Sequence, residues 1–419
     1  MAEHPGDLAA APPGGQSTAR PLQGVWAELV GQDRAVATLS AAADAARKTG
    51  GDTPHQAMTH AWLITGPPGS GRSNAARSFA AALLCDRGGC GECAICRSVI
   101  SGAHPDVTLV RTEQLSISVA EVRELALKAS MSPTVGRFQV IVVEDADRIT
   151  DQGADALLKA LEEPPPRTVW LLCAPTAEDV IVTVRSRTRH FNLRTPLDSE
   201  VARLLVERDG VDPAVAAHAA RAAQGHIGRA RALARSDQAR AAREQVLKIP
   251  GSLSSVGSCL RAAADIVEVA TKDAERRTGE IDARELAELK EALGYGTKGA
   301  RPKQAAAALK ELEDQQKARA KRLLRDALDR VLTELTTWYR DVLTVQVHAI
   351  DPSREVSLQG FGLINQEMSE RIASQARSST AEQTLRKVDA ILAARQALEH
   401  SVAPLLAMEA LMLNLADPD

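Results

Sequence analysis

Residues 65–73 read Thr65-Gly66-Pro67-Pro68-Gly69-Ser70-Gly71-Arg72-Ser73. The stretch follows the phosphate-binding loop pattern G-x-x-x-x-G-K-[S/T], except that arginine stands where the pattern has lysine. In such a loop, backbone N–H groups surround the phosphates of a nucleotide, the lysine reaches the outer phosphates and the hydroxyl holds Mg²⁺. Arginine keeps the positive charge, but it is a planar fork of different reach and is not a conservative replacement. The sequence therefore predicts the fold of a nucleotide-binding protein and weakens the prediction that a nucleotide binds.

The residues on either side of the loop have the pattern that a phosphate-binding loop requires. A short apolar run, 61–64, precedes the loop, and apolar residues at helical spacing follow it over 74–84. Strand, glycine turn and helix, in this order, form the phosphate cradle. The alternative is a glycine-rich turn that binds nothing. The candidate residues of this degenerate nucleotide site are Gly66, Gly69, Gly71, Arg72 and Ser73.

A second nucleotide-site motif is an apolar run, 138–143, that ends in Glu144 and Asp145. In a working ATPase the first acid at this place orients Mg²⁺ and its water, and the next one activates the attacking water. The usual order is Asp then Glu, and this chain has the reverse. The longer first acid crowds the metal and the shorter second acid reaches less far, so the order argues against efficient hydrolysis and against a strong ATP and magnesium site. The alternative is a strand end with surface acids.

Four of the six cysteines lie within twelve residues, spaced C-x4-C-x2-C-x2-C. In a reducing compartment such a cluster indicates a metal site rather than disulfides. Four thiolates suit tetrahedral Zn²⁺ in a closed, structural site. An iron–sulfur cluster is the second choice, but the bacterial ferredoxin spacing requires a cysteine where Ile100 stands. The candidate zinc ligands are Cys85, Cys90, Cys93 and Cys96.

Length and composition set the class of protein. A chain of 419 residues is long enough for two to four domains, each with its own core. The net charge of −3 provides no global basic field for non-specific DNA binding. No apolar stretch approaches the roughly 18–20 residues that span a membrane, and the N-terminus lacks a signal-peptide pattern. We therefore expect a cytoplasmic protein without a membrane contact.

The order of the predicted elements gives the domain organisation. Short apolar runs alternate with helical stretches from 25 to 195, which predicts an α/β domain with a parallel sheet. The rest predicts helices alone: a small helical lid over 196–240 and an all-α domain over 241–419. A disordered tail is expected over 1–24, and the charged stretch at about 275–321 predicts a solvated helical hairpin with a break near Gly294 and Gly296 to Pro302. The predicted strands are 61–65, 107–110, 138–143, 168–173 and 189–193.

Three arginines at alternate positions, Arg185, Arg187 and Arg189, stand just before the last predicted strand. One interpretation is an exposed basic loop. The other is that an arginine is presented to the phosphates of a neighbouring subunit.

Taken together, these segments resemble the AAA+ clamp-loader subunits of bacterial DNA polymerase III. The resemblance covers 25–195 closely, the helical lid less so, and the C-terminal third only in overall character. It implies zinc in the cysteine module and an arginine finger at Arg187 that acts on the ATP of a neighbour. The segments that carry it are Leu29-Val30-Gly31-Gln32, residues 65–73, the cysteine module 85–96, Ala156-Leu157-Leu158-Lys159-Ala160-Leu161-Glu162-Glu163-Pro164-Pro165 and Ser186-Arg187.

Within the family, the departures point to the delta-prime class rather than to the gamma/tau-type ATPases. Beside Arg72 and the reversed acids, Gly228 stands where the ATPase subunits carry a sensor arginine, and Cys173-Ala174-Pro175 lacks a polar sensor residue. The resemblance then implies a stator in a hetero-oligomeric ring that loads the beta sliding clamp onto primed DNA with gamma/tau and delta subunits. The all-α domain would be the collar of that ring. Two alternatives remain: an active gamma/tau-type ATPase, and a zinc-dependent nucleic-acid-binding module outside any ring.

Overall fold

A computed structural model describes residues 22–48, 58–112, 116–293, 303–349, 362–400 and 402–416 of the chain. Most of the tail expected over 1–24 and the break expected at 294–302 lie outside these residues. The predicted class is confirmed: an α/β domain with a parallel sheet precedes a helical remainder. In the part of the chain described, no helix combines the length and apolar character needed to cross a bilayer.

The sheet has five parallel strands in the order β2-β3-β4-β1-β5. Each strand lies within one residue of the predicted bounds, and the three central strands are apolar runs buried on both faces, whereas the edge strand β5 is mostly polar and exposed. Parallel strands end at one edge of the sheet, so the loop after β1 and the acids after β3 lie on the same edge, with β4 between them. The strands are β1 (Ala61–Thr65), β2 (Val107–Val110), β3 (Gln139–Val143), β4 (Thr168–Ala174) and β5 (Arg189–Asn192).

Helices cover both faces of the sheet. One face packs against α1 and α2, with the Trp62 and Phe79 rings edge to face at 5.2 Å between centroids. The other face packs against α4 and α5. Thr150 caps α5 as its sequence predicts, since its hydroxyl accepts the N–H of Gly153 at 3.2 Å. The helices of this part are α1 (Asp33–Lys48), α2 (Arg72–Leu84), α3 (Ala94–Ser101), α4 (Val119–Ala129), α5 (Asp151–Glu162) and α6 (Val182–Arg185).

Beyond the sheet the described chain is helical. Three short helices form a small bundle with its own apolar core, the region expected to be the lid. The remaining helices share a second core, and α10 crosses the expected boundary at 240. The helices are α7 (Asp198–Glu207), α8 (Pro213–Ala223), α9 (Ile227–Arg235), α10 (Asp237–Lys248), α11 (Val256–Ala292), α12 (Lys303–Ala349), α13 (Ser369–Ser378), α14 (Ala381–Glu399) and α15 (Pro404–Ala416).

The charged stretch at 275–321 lies on two long antiparallel helices, α11 and α12. Arg319 of α12 joins them, because its guanidinium donates to Asp282 at 2.8 Å and to Glu285 at 2.9 Å. Interspersed charges of both signs therefore pair across the two helices.

Candidate nucleotide and metal sites

The phosphate-binding loop has a backbone that only glycine adopts readily. Gly69 and Gly71 have φ angles of 82° and 95°, in the left-handed region. Gln32 joins the loop to the chain after β5: its Nε2 donates to the carbonyls of Ser70 at 3.5 Å and Arg194 at 2.7 Å, and its Oε1 accepts the N–H of Arg194 at 3.2 Å. The loop turns directly into α2, where Ser73 lies in the first turn.

A histidine of the small bundle packs against this loop. A Cβ added at Gly69 would lie 2.2 Å from Cγ of His226, so the imidazole ring fills the space over the glycine. His226 also caps α9, because its Nδ1 accepts the N–H of Arg229 at 3.2 Å. Burial lowers the pKa of His226, and the positive charge of Arg229 lowers it further. The ring beside the loop is therefore held neutral.

Polar groups of the loop are buried without partners. Nη1 of Arg72 and Oγ of Ser70 are both enclosed with no hydrogen-bond partner among the described residues. Buried polar groups are normally paired. A donor left open beside a phosphate-binding loop is suited to a phosphate oxygen.

Both acids at the end of β3 are held by arginines of the same chain. Arg77, on α2, donates to Oε1 of Glu144 through Nε at 3.0 Å and Nη2 at 2.7 Å. Arg322, from α12, places Nη2 3.6 Å from Oδ2 of Asp145. Burial raises the pKa of the nearby Asp147 carboxyl, and the charge of Asp145 adds to the rise. Glu144 and Asp145, predicted as metal and water ligands, are thus engaged in ion pairs.

In the segment expected to carry a sensor arginine, His226 faces the loop, whereas the Arg229 side chain pairs elsewhere. Gly228 follows His226, and the adjacent Arg229 is paired with Glu334 of α12. Glu334 also accepts Nε of Arg243 at 3.1 Å. This buried ion network joins the small bundle to the C-terminal helices.

At the sheet, Cys173 is fully buried, and burial together with the charge of Glu144 raises its pKa to about 12.

Arg187 lies in the turn between α6 and β5, at the edge of the α/β domain. Its Nε donates to Oε1 of Glu162 at 2.8 Å and its Nη1 donates to the carbonyl of Thr183 at 2.8 Å. The side chain remains 35% exposed, and its other nitrogen, Nη2, also pairs with Glu162. Its neighbour Arg185 bonds to the carbonyl of Ala177, and Arg189 lies over the Trp62 ring at 5.0 Å.

The four clustered cysteines come together between α2 and α3. Their Sγ atoms all lie within 4.8 Å of one another, and Cys85 Sγ is 3.8 Å from Sγ of both Cys90 and Cys93. A regular tetrahedron of Zn–S bonds of about 2.3 Å has edges of about 3.8 Å. Cys85 and Cys96 are buried, whereas Cys90 and Cys93 are partly exposed. The geometry and the donor set fit one tetrahedral metal ion.

Backbone donors and burial act on these thiols in opposite directions. Backbone N–H groups of Glu92 and Cys93 lower the pKa of Cys90 to about 6. Burial opposes ionisation of Cys85, but the N–H groups of Cys90, Gly89 and Arg87 outweigh it and leave its pKa lowered. Burial raises the pKa of Cys96. The cluster thus favours a negative charge at its open side, which is the state that a metal ligand requires.

Three contacts of the site have no signal in the sequence: Arg77 with Glu144, Arg322 with Asp145, and Arg229 with Glu334. Each joins residues far apart in the chain, and no local pattern marks them.

A family model described as DNA polymerase III, delta subunit, matches residues 44–196. The DNA polymerase III subunit gamma/tau of Mycobacterium tuberculosis is 36% identical over 174 residues, which is 40% of this chain and 28% of that protein. The DNA polymerase III subunit delta' of Pseudomonas aeruginosa is 37% identical over 144 residues, 33% of this chain and 43% of that protein. The delta' of Bacillus subtilis is 30% identical over 195 residues, 46% of this chain and 59% of that protein.

The chain thus spans between about a quarter and three fifths of these relatives. Among solved structures, a DNA polymerase III gamma subunit-related protein from Thermotoga maritima is 15% identical with a TM-score of 0.34, covering 69% of this chain and 99% of that one. The family model falls on the α/β domain that carries the phosphate-binding loop, the cysteine module and Arg187. Through this region the chain is similar to the clamp-loader subunits of DNA polymerase III.

Proposed function

We propose that the chain is a delta-prime-type subunit of the clamp loader, a member of a hetero-oligomeric ring that does not itself hydrolyse ATP. Its partners are gamma/tau-type ATPase subunits, a delta subunit, the beta sliding clamp and primed DNA within the complex, in the cytoplasm. One observation carries the proposal: Arg72 stands in the phosphate-binding loop while Glu144, the first acid after β3, is bound by Arg77. A loop altered at both its cation and its acid is suited to a structural role.

In this role, Arg187 acts on the ATP bound by a neighbour. The guanidinium sits at the domain edge, 35% exposed and paired with Glu162 and the Thr183 carbonyl. To donate two parallel hydrogen bonds to the phosphate of a neighbour, the fork exchanges its pairing with Glu162 for the phosphate. Arginine fingers contribute about 10³–10⁵ in rate where they have been measured.

The experiment is clamp loading by a ring reconstituted with this chain and the gamma/tau-type and delta partners. Arg187→Ala is expected to assemble normally and to reduce loading, with a partial fall in total ATPase since only one site of the ring loses its finger. Arg187→Lys rescues poorly because lysine cannot donate as a fork. Arg185→Ala is the matched control two residues away and loads normally. Normal loading by Arg187→Ala, or damage by Arg185→Ala instead, contradicts the assignment.

We propose zinc as the metal of the cysteine module, in a structural role. The support is the set of four thiols at tetrahedral spacing, without an open position for a substrate. The module packs against residues 24–28, since the N–H of Val25 donates to the carbonyl of Gly89 at 3.0 Å. Zinc would hold the loop that receives this segment.

An active gamma/tau-type ATPase is the second candidate, and the match to the gamma/tau subunit of Mycobacterium tuberculosis over 174 residues favours it. ATP turnover by the isolated chain separates the two. Brisk turnover supports the ATPase and contradicts the delta-prime assignment.

A further inference from the structure

The place where a phosphate-binding loop holds Mg²⁺ contains two carboxylates, and both are already paired. Glu144 is bound by Arg77 through two N–H groups, at 2.7 and 3.0 Å. Asp145 has Arg322 at 3.6 Å. The two arginines come from different parts of the chain, Arg77 from the helix after the loop and Arg322 from the C-terminal region.

These pairs are largely enclosed. The Glu144 side chain is 7% exposed, that of Arg322 15% and that of Asp145 21%. Enclosed ion pairs are little screened by salt, so Glu144 is firmly compensated by the two hydrogen bonds from Arg77. Arg322 is a longer ion-pair partner of Asp145, at 3.6 Å, and the charge of Arg72 acts on the neighbouring Asp147.

The residues do not fit Mg²⁺. This ion requires oxygen ligands at about 2.0–2.1 Å in a nearly octahedral arrangement. To bind Glu144 the ion would have to displace the Arg77 guanidinium, and to bind Asp145 it would have to lie beside Arg322, in both cases at the cost of repulsion between like charges. A guanidinium also occupies more space than the ion and donates directed hydrogen bonds, so the site is built around arginine.

We infer that Arg77 and Arg322 stand in place of the divalent metal at the two acids after β3, so that neither acid is a ligand for Mg²⁺. Arg322 additionally ties α12 to the edge of the sheet. The inference deepens the proposed role of a subunit that does not hydrolyse ATP. It rests on that proposal only in taking the loop to be an altered phosphate-binding loop. The test uses this chain without partner subunits. The inference about the metal can therefore fail while the chain still supports clamp loading, and the clamp-loading proposal can fail while the inference holds.

The experiment is a Mn²⁺ titration of the full chain, supplied with zinc, followed by electron paramagnetic resonance. Wild type and Asp145→Asn are expected to give the same isotherm, without a site that depends on Asp145. An Arg77→Gln/Arg322→Gln double variant is expected to gain one site at least tenfold tighter than any in the wild type. Arg319→Gln is the matched control: it removes an arginine from the same helix one turn away, where it pairs within the hairpin.

A wild-type Mn²⁺ site that disappears in Asp145→Asn overturns the inference. A double variant that keeps the wild-type circular dichroism spectrum and gains no site also overturns it, because the arginines are then not what excludes the ion. A gain in Arg319→Gln would show that net charge, rather than these two pairs, controls metal binding, and would overturn it as well.

Discussion

Changing Glu334 to glutamine should loosen the junction between the small bundle and the C-terminal helices. Glu334 is 7% exposed and accepts from both Arg229 and Arg243. The amide of glutamine keeps the volume but offers one acceptor, and its NH₂ group faces the second guanidinium. Breaking a buried ion pair typically costs about 3–5 kcal/mol. Arg243 keeps Glu367 and Asn365 as partners, so the lower end, about 3 kcal/mol, applies.

The assay is hydrogen exchange followed by mass spectrometry on peptides from α9, α10 and the middle of α12. A loss of about 3 kcal/mol in local opening speeds exchange there roughly 100-fold, since each 1.4 kcal/mol is a factor of ten. Glu268→Gln makes the same chemical change in an exposed pair with Lys272 and should leave exchange unaltered. Wild-type exchange rates in Glu334→Gln would refute the argument that the network holds the junction.

Three further outcomes are expected. Protein purified without added metal should contain about one zinc per chain by elemental analysis, and Cys93→Ser should loosen the cysteine module while the C-terminal helices stay folded; stoichiometric iron would contradict the assignment. The isolated chain should show negligible ATP turnover, and Arg72→Lys alone should not restore it, because loss of one such contact costs about 10²–10³ in rate and the reversed acids and Gly228 remain. Burial lowers the pKa of His226, so its contribution to stability is present above about pH 6.5 and lost as pH falls through its folded-state pKa. His226→Asn, which can still cap α9, should therefore flatten the fall in melting temperature between pH 7 and 5, and an unchanged slope would contradict the buried, neutral histidine.

The parts of the fold that the sequence predicts well are those with a local physical signal. The strands follow from short buried runs such as 139–143, and the loop follows from glycines that adopt positive φ angles. The cysteine module follows from ligand spacing, and its four sulfur atoms do meet. These signals lie within a few residues of one another in the chain, which is why they can be recognised without a structure.

The parts that the sequence does not predict are pairings between distant side chains. The order Glu144-Asp145 indicates an altered acid pair, but it does not reveal that Arg322 lies beside the second acid. Likewise, Arg229 next to Gly228 could have faced the loop, and only the packing of α12 shows that it faces Glu334 instead. A charged residue on a long helix has many oppositely charged residues with which it could pair, and the sequence gives no reason to prefer one of them. Tertiary packing therefore decides which ion pair forms.

The helix α12 has a mechanical consequence for the whole chain. At 47 residues and 1.5 Å per residue it is a rod of about 70 Å. It contacts the sheet edge through the Arg322–Asp145 ion pair and the small bundle through the Glu334–Arg229 ion pair. These two positions lie about 18 Å apart along the helix axis. A rotation of the small bundle relative to the sheet must therefore break one of these two ion pairs or bend α12. The α/β domain and the small bundle, which lie on either side of the nucleotide site, are therefore held in a fixed relative position by α12. A movement of the hairpin end of α12 is transmitted to both of them at once.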